Sequence, residues 1–193
     1  MIPFFSFQYQ HDQIREASLK ALTEAFDSNW YILGDRLKKF EKEFSEYSNT
    51  KHTIGVGNGL EAIKISLKAL GIKPGDEVIV PANTYIATLL AVTEIGAIPM
   101  LVEPELASYN IDPNRIEEKI TKKTKAIIPV HLYGLPCQMD EILSIAQKHN
   151  LFVVEDNAQS VGAEYKNRKT GSFGIINATS FYPTKNLGAL GDG

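Results

Sequence analysis

From residue 53 onward the chain alternates short, unbroken apolar runs with helical segments, and this rhythm limits the fold more than any other feature. The runs fall at 53–56, 77–80, 98–102, 124–130, 151–155 and 178–182. Helical patterns occupy 59–70, 84–94, 112–119 and 140–148, the third capped by Asp112 with Pro113 at its first position. Strands that are apolar throughout, rather than at every second residue, belong to sheets covered on both faces. The expected architecture is α/β, a mainly parallel sheet with helices on both sides.

The first fifty residues read differently. Residues 11–27 carry Ile14, Ala17, Leu19, Ala21, Leu22, Ala25 and Phe26, and residues 36–47 carry Leu37, Phe40, Phe44 and Tyr47, both at helical spacing. Between them, Asn29-Trp30-Tyr31-Ile32-Leu33-Gly34 is an aromatic loop. Trp30 and Tyr31 either pack against the helices or belong to a ligand pocket or subunit contact. The reading divides the chain into a helical segment, 1–50, and a sheet-bearing domain, 51–193.

The 193 residues suffice for one sizeable core. A net charge of −3 without any Lys/Arg block leaves no electrostatic footprint for nucleic acid. Cys137 is the only cysteine, which excludes an intrachain disulfide and suits a reducing compartment. It reads as an inert loop residue rather than a catalytic thiol. No metal cluster is expected. The N-terminus lacks the basic start and long apolar core of a signal peptide. The most apolar stretch, 85–102, is interrupted by Glu94, Gly96 and Pro99, so it reads as a buried helix and a strand rather than a membrane span. A cytoplasmic protein is expected.

In open α/β sheets, ligands bind beyond the carboxyl ends of strands, and four candidates fall there. Gly57-Asn58-Gly59 leads into a helix whose first amides, those of Gly59, Leu60 and Glu61, can hold a phosphate; a plain tight turn is the alternative. Neither a P-loop nor a dinucleotide fingerprint is present. Tyr85 either stacks on a flat ligand or fills core. Asp156, after Leu-Phe-Val-Val-Glu, needs a partner if buried, and Gln159 follows it by about one turn; the alternative is a turn or cap Asp. Ser180 and Lys185 close the series, the lysine being either a solvated charge or an amine available for a Schiff base. An amine of that kind and an acid able to hold a pyridinium proton are the minimal protein equipment for pyridoxal phosphate (PLP) chemistry.

Several ordered motifs carry a resemblance. They are Trp30-Tyr31-Ile32-Leu33-Gly34, Gly55-Val56-Gly57-Asn58-Gly59, Pro74-Gly75-Asp76-Glu77-Val78-Ile79-Val80-Pro81-Ala82-Asn83-Thr84-Tyr85, Pro129-Val130-His131-Leu132-Tyr133-Gly134, Glu155-Asp156-Asn157-Ala158-Gln159 and the stretch from Ser180 to Gly193. In these the chain resembles the N-terminal half of the DegT/DnrJ/EryC1/StrS nucleotide-sugar aminotransferases, which have the type I PLP-transferase (aspartate aminotransferase-like) fold. The resemblance implies that Lys185 forms the Schiff base with PLP and afterwards moves the proton. It further implies that Asp156 keeps the pyridine nitrogen protonated, Gln159 bonds the ring hydroxyl, Tyr85 stacks, and Ser180 with the amides of Gly59, Leu60 and Glu61 holds the phosphate.

The turn at Gly57 to Leu60 and the sequence after Lys185 look like the branch acting at sugar carbon 3. That branch implies a dTDP-3-keto-6-deoxyhexose substrate, glutamate as amino donor and a homodimer. The alternatives are a 4-keto-sugar 4-aminotransferase and a non-catalytic regulatory or truncated protein of the same fold. Sugar 3-dehydratases of similar type carry histidine in place of Lys185. The last strands of the large domain and the small domain of such enzymes are expected beyond Gly193, so the 193-residue chain alone is expected to be inactive.

Overall fold

Burial with a period of two sorts the strand residues onto two faces. The structure is a computed structural model and describes residues 2–3 and 5–193. Five strands form one parallel sheet in the order β2-β1-β3-β4-β7: β1 (Glu77–Pro81), β2 (Ile98–Val102), β3 (Thr124–Ile127), β4 (Phe152–Asp156) and β7 (Ile176–Ala178). Val78, Val80, Ala126 and Val154 point to one face, packing with Ile63 and Leu67 of α3 (Gly59–Ala69) and Ala91 and Val92 of α4 (Ile86–Thr93). Ile79, Ile127 and Val153 point to the other, against Met139, Ile142 and Ala146 of α5 (Met139–His149). Each fully buried valine, leucine, isoleucine or methionine among them contributes about 1.5–3 kcal/mol. The α/β expectation is therefore met, with both faces of the sheet covered.

The chain divides into two compact units, Met1–Phe44 and Ser45–Gly193. In the first, α1 (Gln8–Asp27) buries none of its residues. An Arg36–Glu24 ion pair of 2.9 Å links it to α2 (Asp35–Ser48). The loop between these helices bonds locally, Trp30 Nε1 donating to Ile32 O and the Tyr31 hydroxyl to Phe26 O.

Three expectations need correction, and one element is new. Residues 53–56 do not form a strand, and Ile54 is 77% exposed. Residues 112–119 form two short 3₁₀ turns, Pro113–Arg115 and Glu117–Lys119, rather than an α-helix. The Asp112 cap is present, its carboxylate accepting from the Asn114 amide, but so short a segment cannot offset helix nucleation. The last strand ends at Ala178, where the sequence suggested it would begin. A hairpin, β5 (Glu164–Tyr165) with β6 (Arg168–Lys169), was not anticipated; Lys166 and Asn167 both take positive φ, the primed turn that a two-residue hairpin needs.

Candidate active site

Strand β4 ends in two adjacent acids, and strand alternation sends them to opposite faces of the sheet. Asp156 shares the face of Val154 and meets α4. There the buried Thr88 hydroxyl donates to Asp156 Oδ2 at 2.8 Å, while the Ala158 amide donates to Oδ1 at 3.1 Å. Burial raises the Asp156 carboxyl above its ordinary pKa; these two donors and the charge of Lys185 work against that rise. Asp156 is thus a turn Asp through Ala158 and, in addition, a buried acceptor aimed at the helix face.

Lys185 lies in a loop closed by two backbone bonds, Lys185 N–H to Tyr182 O and Ala189 N–H to Phe181 O, both 2.8 Å. The fold-back is possible because residue 188 is glycine: a Cβ there would collide with the Pro183 carbonyl oxygen. The loop returns the half-buried lysine to the sheet edge, with Nζ 5.9 Å from the centroid of the Tyr85 ring. That ring is 67% exposed, so Tyr85 does not fill core.

Ser180 is buried beside the start of α3. A Cβ on Gly59 would stand 3.0 Å from Ser180 Cβ, so glycine permits this close approach. The Ser180 oxygen accepts from Tyr182 N, which leaves its own proton to donate. Asn58 caps α3 through Oδ1, accepting from the Glu61 amide at 2.9 Å. Of the three amides expected to meet a phosphate, that of Glu61 is therefore already used, and Gly59 and Leu60 supply the first-turn N–H groups that no helix bond can satisfy. Gln159 Oε1 accepts from Tyr133 N at 2.8 Å, so the amide nitrogen is the end of Gln159 left to donate. Trp30 and Tyr31 belong to the N-terminal unit, both exposed.

One part of the sheet edge thus presents an amine, a buried carboxylate, an aromatic face and a small cradle of N–H and O–H donors. Residues 12–193 match the sequence model of the DegT/DnrJ/EryC1/StrS aminotransferase family. The chain belongs to that family. It is 51% identical over 181 residues to a dTDP-3-amino-3,6-dideoxy-alpha-D-galactopyranose transaminase of Aneurinibacillus thermoaerophilus, covering 94% of this chain and 50% of that protein. The crystal structure of S. venezuelae DesV in complex with a ketimine intermediate superimposes with a TM-score of 0.96 at 45% identity, over 99% of this chain and 52% of that one. That of NtdA from Bacillus subtilis with bound cofactor PMP gives 0.93 at 39% identity, over 99% and 43%. The chain spans about half the length of the curated relatives it matches.

This family member also holds buried polar neighbours of the candidate site that the sequence reading passed over. Glu155, on the opposite face from Asp156, is fully buried and accepts four bonds: Gly171 N and His131 Nε2 on one oxygen, Phe173 N and Gly174 N on the other. His131 Nδ1 accepts from Cys137 N at 3.0 Å, so the hydrogen-bond pattern assigns the ring proton to Nε2, facing Glu155. Cys137 is itself core, its Sγ donating to Val130 O, and burial pushes its thiol well up. Two adjacent acids ending an apolar strand were the available signal for Glu155, since alternation cannot place both in one site. Thr88 is the other omission, a hydroxyl on an otherwise apolar helix face.

No helix among the described residues is long and apolar enough to cross a membrane. Among those residues no group of three or more His, Cys, Asp or Glu side chains is placed to hold a metal ion.

Proposed function

We propose that the protein is a PLP-dependent aminotransferase acting on a nucleotide-linked keto-sugar, a dTDP-3-keto-6-deoxyhexose, with glutamate as amino donor. One observation carries the reading: Lys185 Nζ above Tyr85 at the same sheet edge as the buried, doubly hydrogen-bonded Asp156. The residues present fit the cofactor. The Gly59–Ser180 approach and its donors suit a phosphate, and the raised affinity of buried Asp156 for a proton suits a carboxylate that lacks a cationic partner of its own.

PLP, when bound, supplies an aldehyde for the amine and a ring that withdraws electrons from the reacting carbon. The protein's part is binding, orientation and proton handling. Gly59 and Leu60 amides and the Ser180 hydroxyl hold the phosphate. Tyr85 covers one ring face, Asp156 accepts from the ring nitrogen, and the Gln159 amide nitrogen donates to the ring oxygen. Lys185 Nζ would hold the cofactor through its amine and, when that amine is free, would take up and return the proton. Residues 51–193 are then the cofactor-binding domain, preceded by the helical segment 1–50. The protein works as a homodimer in the cytoplasm.

The carbon-3 assignment is supported by the Gly57 to Leu60 turn, the sequence after Lys185 and the likeness to the dTDP-3-amino sugar transaminase. The test is borohydride reduction of the PLP-treated protein followed by peptide mapping. A pyridoxyl group on Lys185 is expected; reduction that leaves Lys185 unmodified rejects the reading. Parallel incubation with 3-keto and 4-keto dTDP sugars then decides the carbon.

A further inference from the structure

Thr84 and Thr88 occupy one face of the turn that begins α4, and their hydroxyl oxygens are 2.9 Å apart. Thr88 has a single hydroxyl proton, and it goes to Asp156 Oδ2 at 2.8 Å. Thr84 must therefore donate to Thr88, which gives the chain Thr84 to Thr88 to Asp156 a direction. Thr88 is 1% exposed and its buried companions on α4, Ala91 and Val92, are apolar. Valine would fill the same volume, so packing gives no reason for a hydroxyl here.

We propose that this two-hydroxyl relay holds the Asp156 carboxylate ionised and aimed at a protonated ring nitrogen, and fixes its register to the Tyr85 platform. The inference rests on the PLP reading above and concerns positioning residues, which act through Asp156. Tyr85 follows Thr84 directly, and Thr88 N–H bonds back to Tyr85 O at 3.1 Å. One helix start thus carries both the surface for the ring face and the donor to the acid that meets the ring nitrogen.

The charges around Asp156 leave the relay a definite task. Lys185 approaches from the lysine loop, His131 and Cys137 from the 131–137 turn, and Glu155 precedes Asp156 on its own strand. His131 carries its proton toward Glu155, Glu155 is committed to four donors, and the Cys137 thiol is kept protonated by burial. Lys185 is the remaining cation, and its amine is consumed when the cofactor attaches. Once it is, the relay and the Ala158 amide are the protein groups that hold the charge on Asp156 against desolvation.

The experiment uses the protein as its gene encodes it, stripped of cofactor, with PLP affinity measured by equilibrium titration across acid to neutral pH. Thr88→Val is expected to weaken PLP about tenfold at neutral pH and to move the acid limb up by about one pH unit, the scale of one lost bond to a charged group, whereas Thr88→Ser stays within about twofold of the parent. A purely structural Thr88 gives the reverse ranking, valine tolerated and serine impaired, with no movement of the acid limb; that result overturns the relay. Thr84→Val, which removes only the outer donor, is expected to move the acid limb in the same direction by less. If Thr88→Val does not fold, Thr84→Val decides alone, and an unmoved acid limb rejects the proposal. Failure of the parent protein to take up PLP removes the functional reading and the relay with it. Uptake by the parent with an unshifted Thr88→Val removes the relay alone.

Discussion

His131 Nε2 lies 2.9 Å from Glu155 Oε2, and neither side chain is exposed to solvent. The pair joins the turn after β3 to the end of β4, while three amides of the 171–174 loop complete the coordination of the carboxylate. Because Asp156 follows immediately, the backbone that aims its carboxylate is fixed by the neighbour that points the other way.

Glu155→Gln should therefore damage stability well beyond an ordinary surface change. An amide has one acceptor oxygen, so its NH₂ group must face donors on one side of the site, either Phe173 and Gly174 or Gly171 and His131. Leaving buried donors unmatched costs about 3 kcal/mol. Urea unfolding of the cofactor-free protein measures it, and a loss under about 1 kcal/mol contradicts the keystone role given to Glu155.

Gly188→Ala tests the lysine loop. The added methyl group meets the Pro183 carbonyl, so the loop must open and Lys185 must leave its place over Tyr85. Residues 184 to 192 are largely exposed, so global stability should change little while the pyridoxyl yield on Lys185 after reduction falls about tenfold or more. Equal labelling of variant and parent means that the tight approach is dispensable.

Gly59→Ala separates phosphate binding from ring binding. Its methyl group presses on Ser180 from 3.0 Å, displacing the hydroxyl and crowding the first-turn amides. PLP affinity is expected to fall about tenfold, the loss of one good anion contact. Unphosphorylated pyridoxal should react with Lys185 as it does in the parent. An equal loss for both compounds places the phosphate elsewhere.

The sequence made the strands and their ligand-bearing ends legible because each is a short apolar run with its polar residues displaced to the carboxyl end. Asp156, Tyr85 and Lys185 stood out as candidates from that displacement, each with a bland alternative that the family resemblance weighed against. Residues 53–56 show the limit of the pattern: the apolar run is there, yet no strand forms. Thr88 was hidden because a threonine on a helix face looks like a poor helix former until the acid 68 residues away is placed beside it. The bond from the Glu61 amide to Asn58 was hidden because the sequence names an N-terminal turn without saying that Asn58 will close it. Such contacts depend on tertiary placement, which periodicity does not encode.

The last prediction concerns the cost of keeping Asp156. Burial, acting first, raises its carboxyl above the ordinary value, so the folded cofactor-free protein binds the proton more tightly than the unfolded chain does. Stability then falls as pH rises from the ordinary carboxylate range through the raised value, opposite in sign to a salt-bridged acid. Asp156→Asn removes that charge while keeping an oxygen for the Ala158 amide. The cofactor-free variant should be more stable than the parent at neutral pH, lose the advantage as pH falls through the raised value, and bind PLP about tenfold or more weakly. Thermal unfolding with and without PLP reads both effects. A variant that is destabilised without cofactor at neutral pH shows that Asp156 is a structural acid, and the trade of stability for a poised carboxylate does not exist.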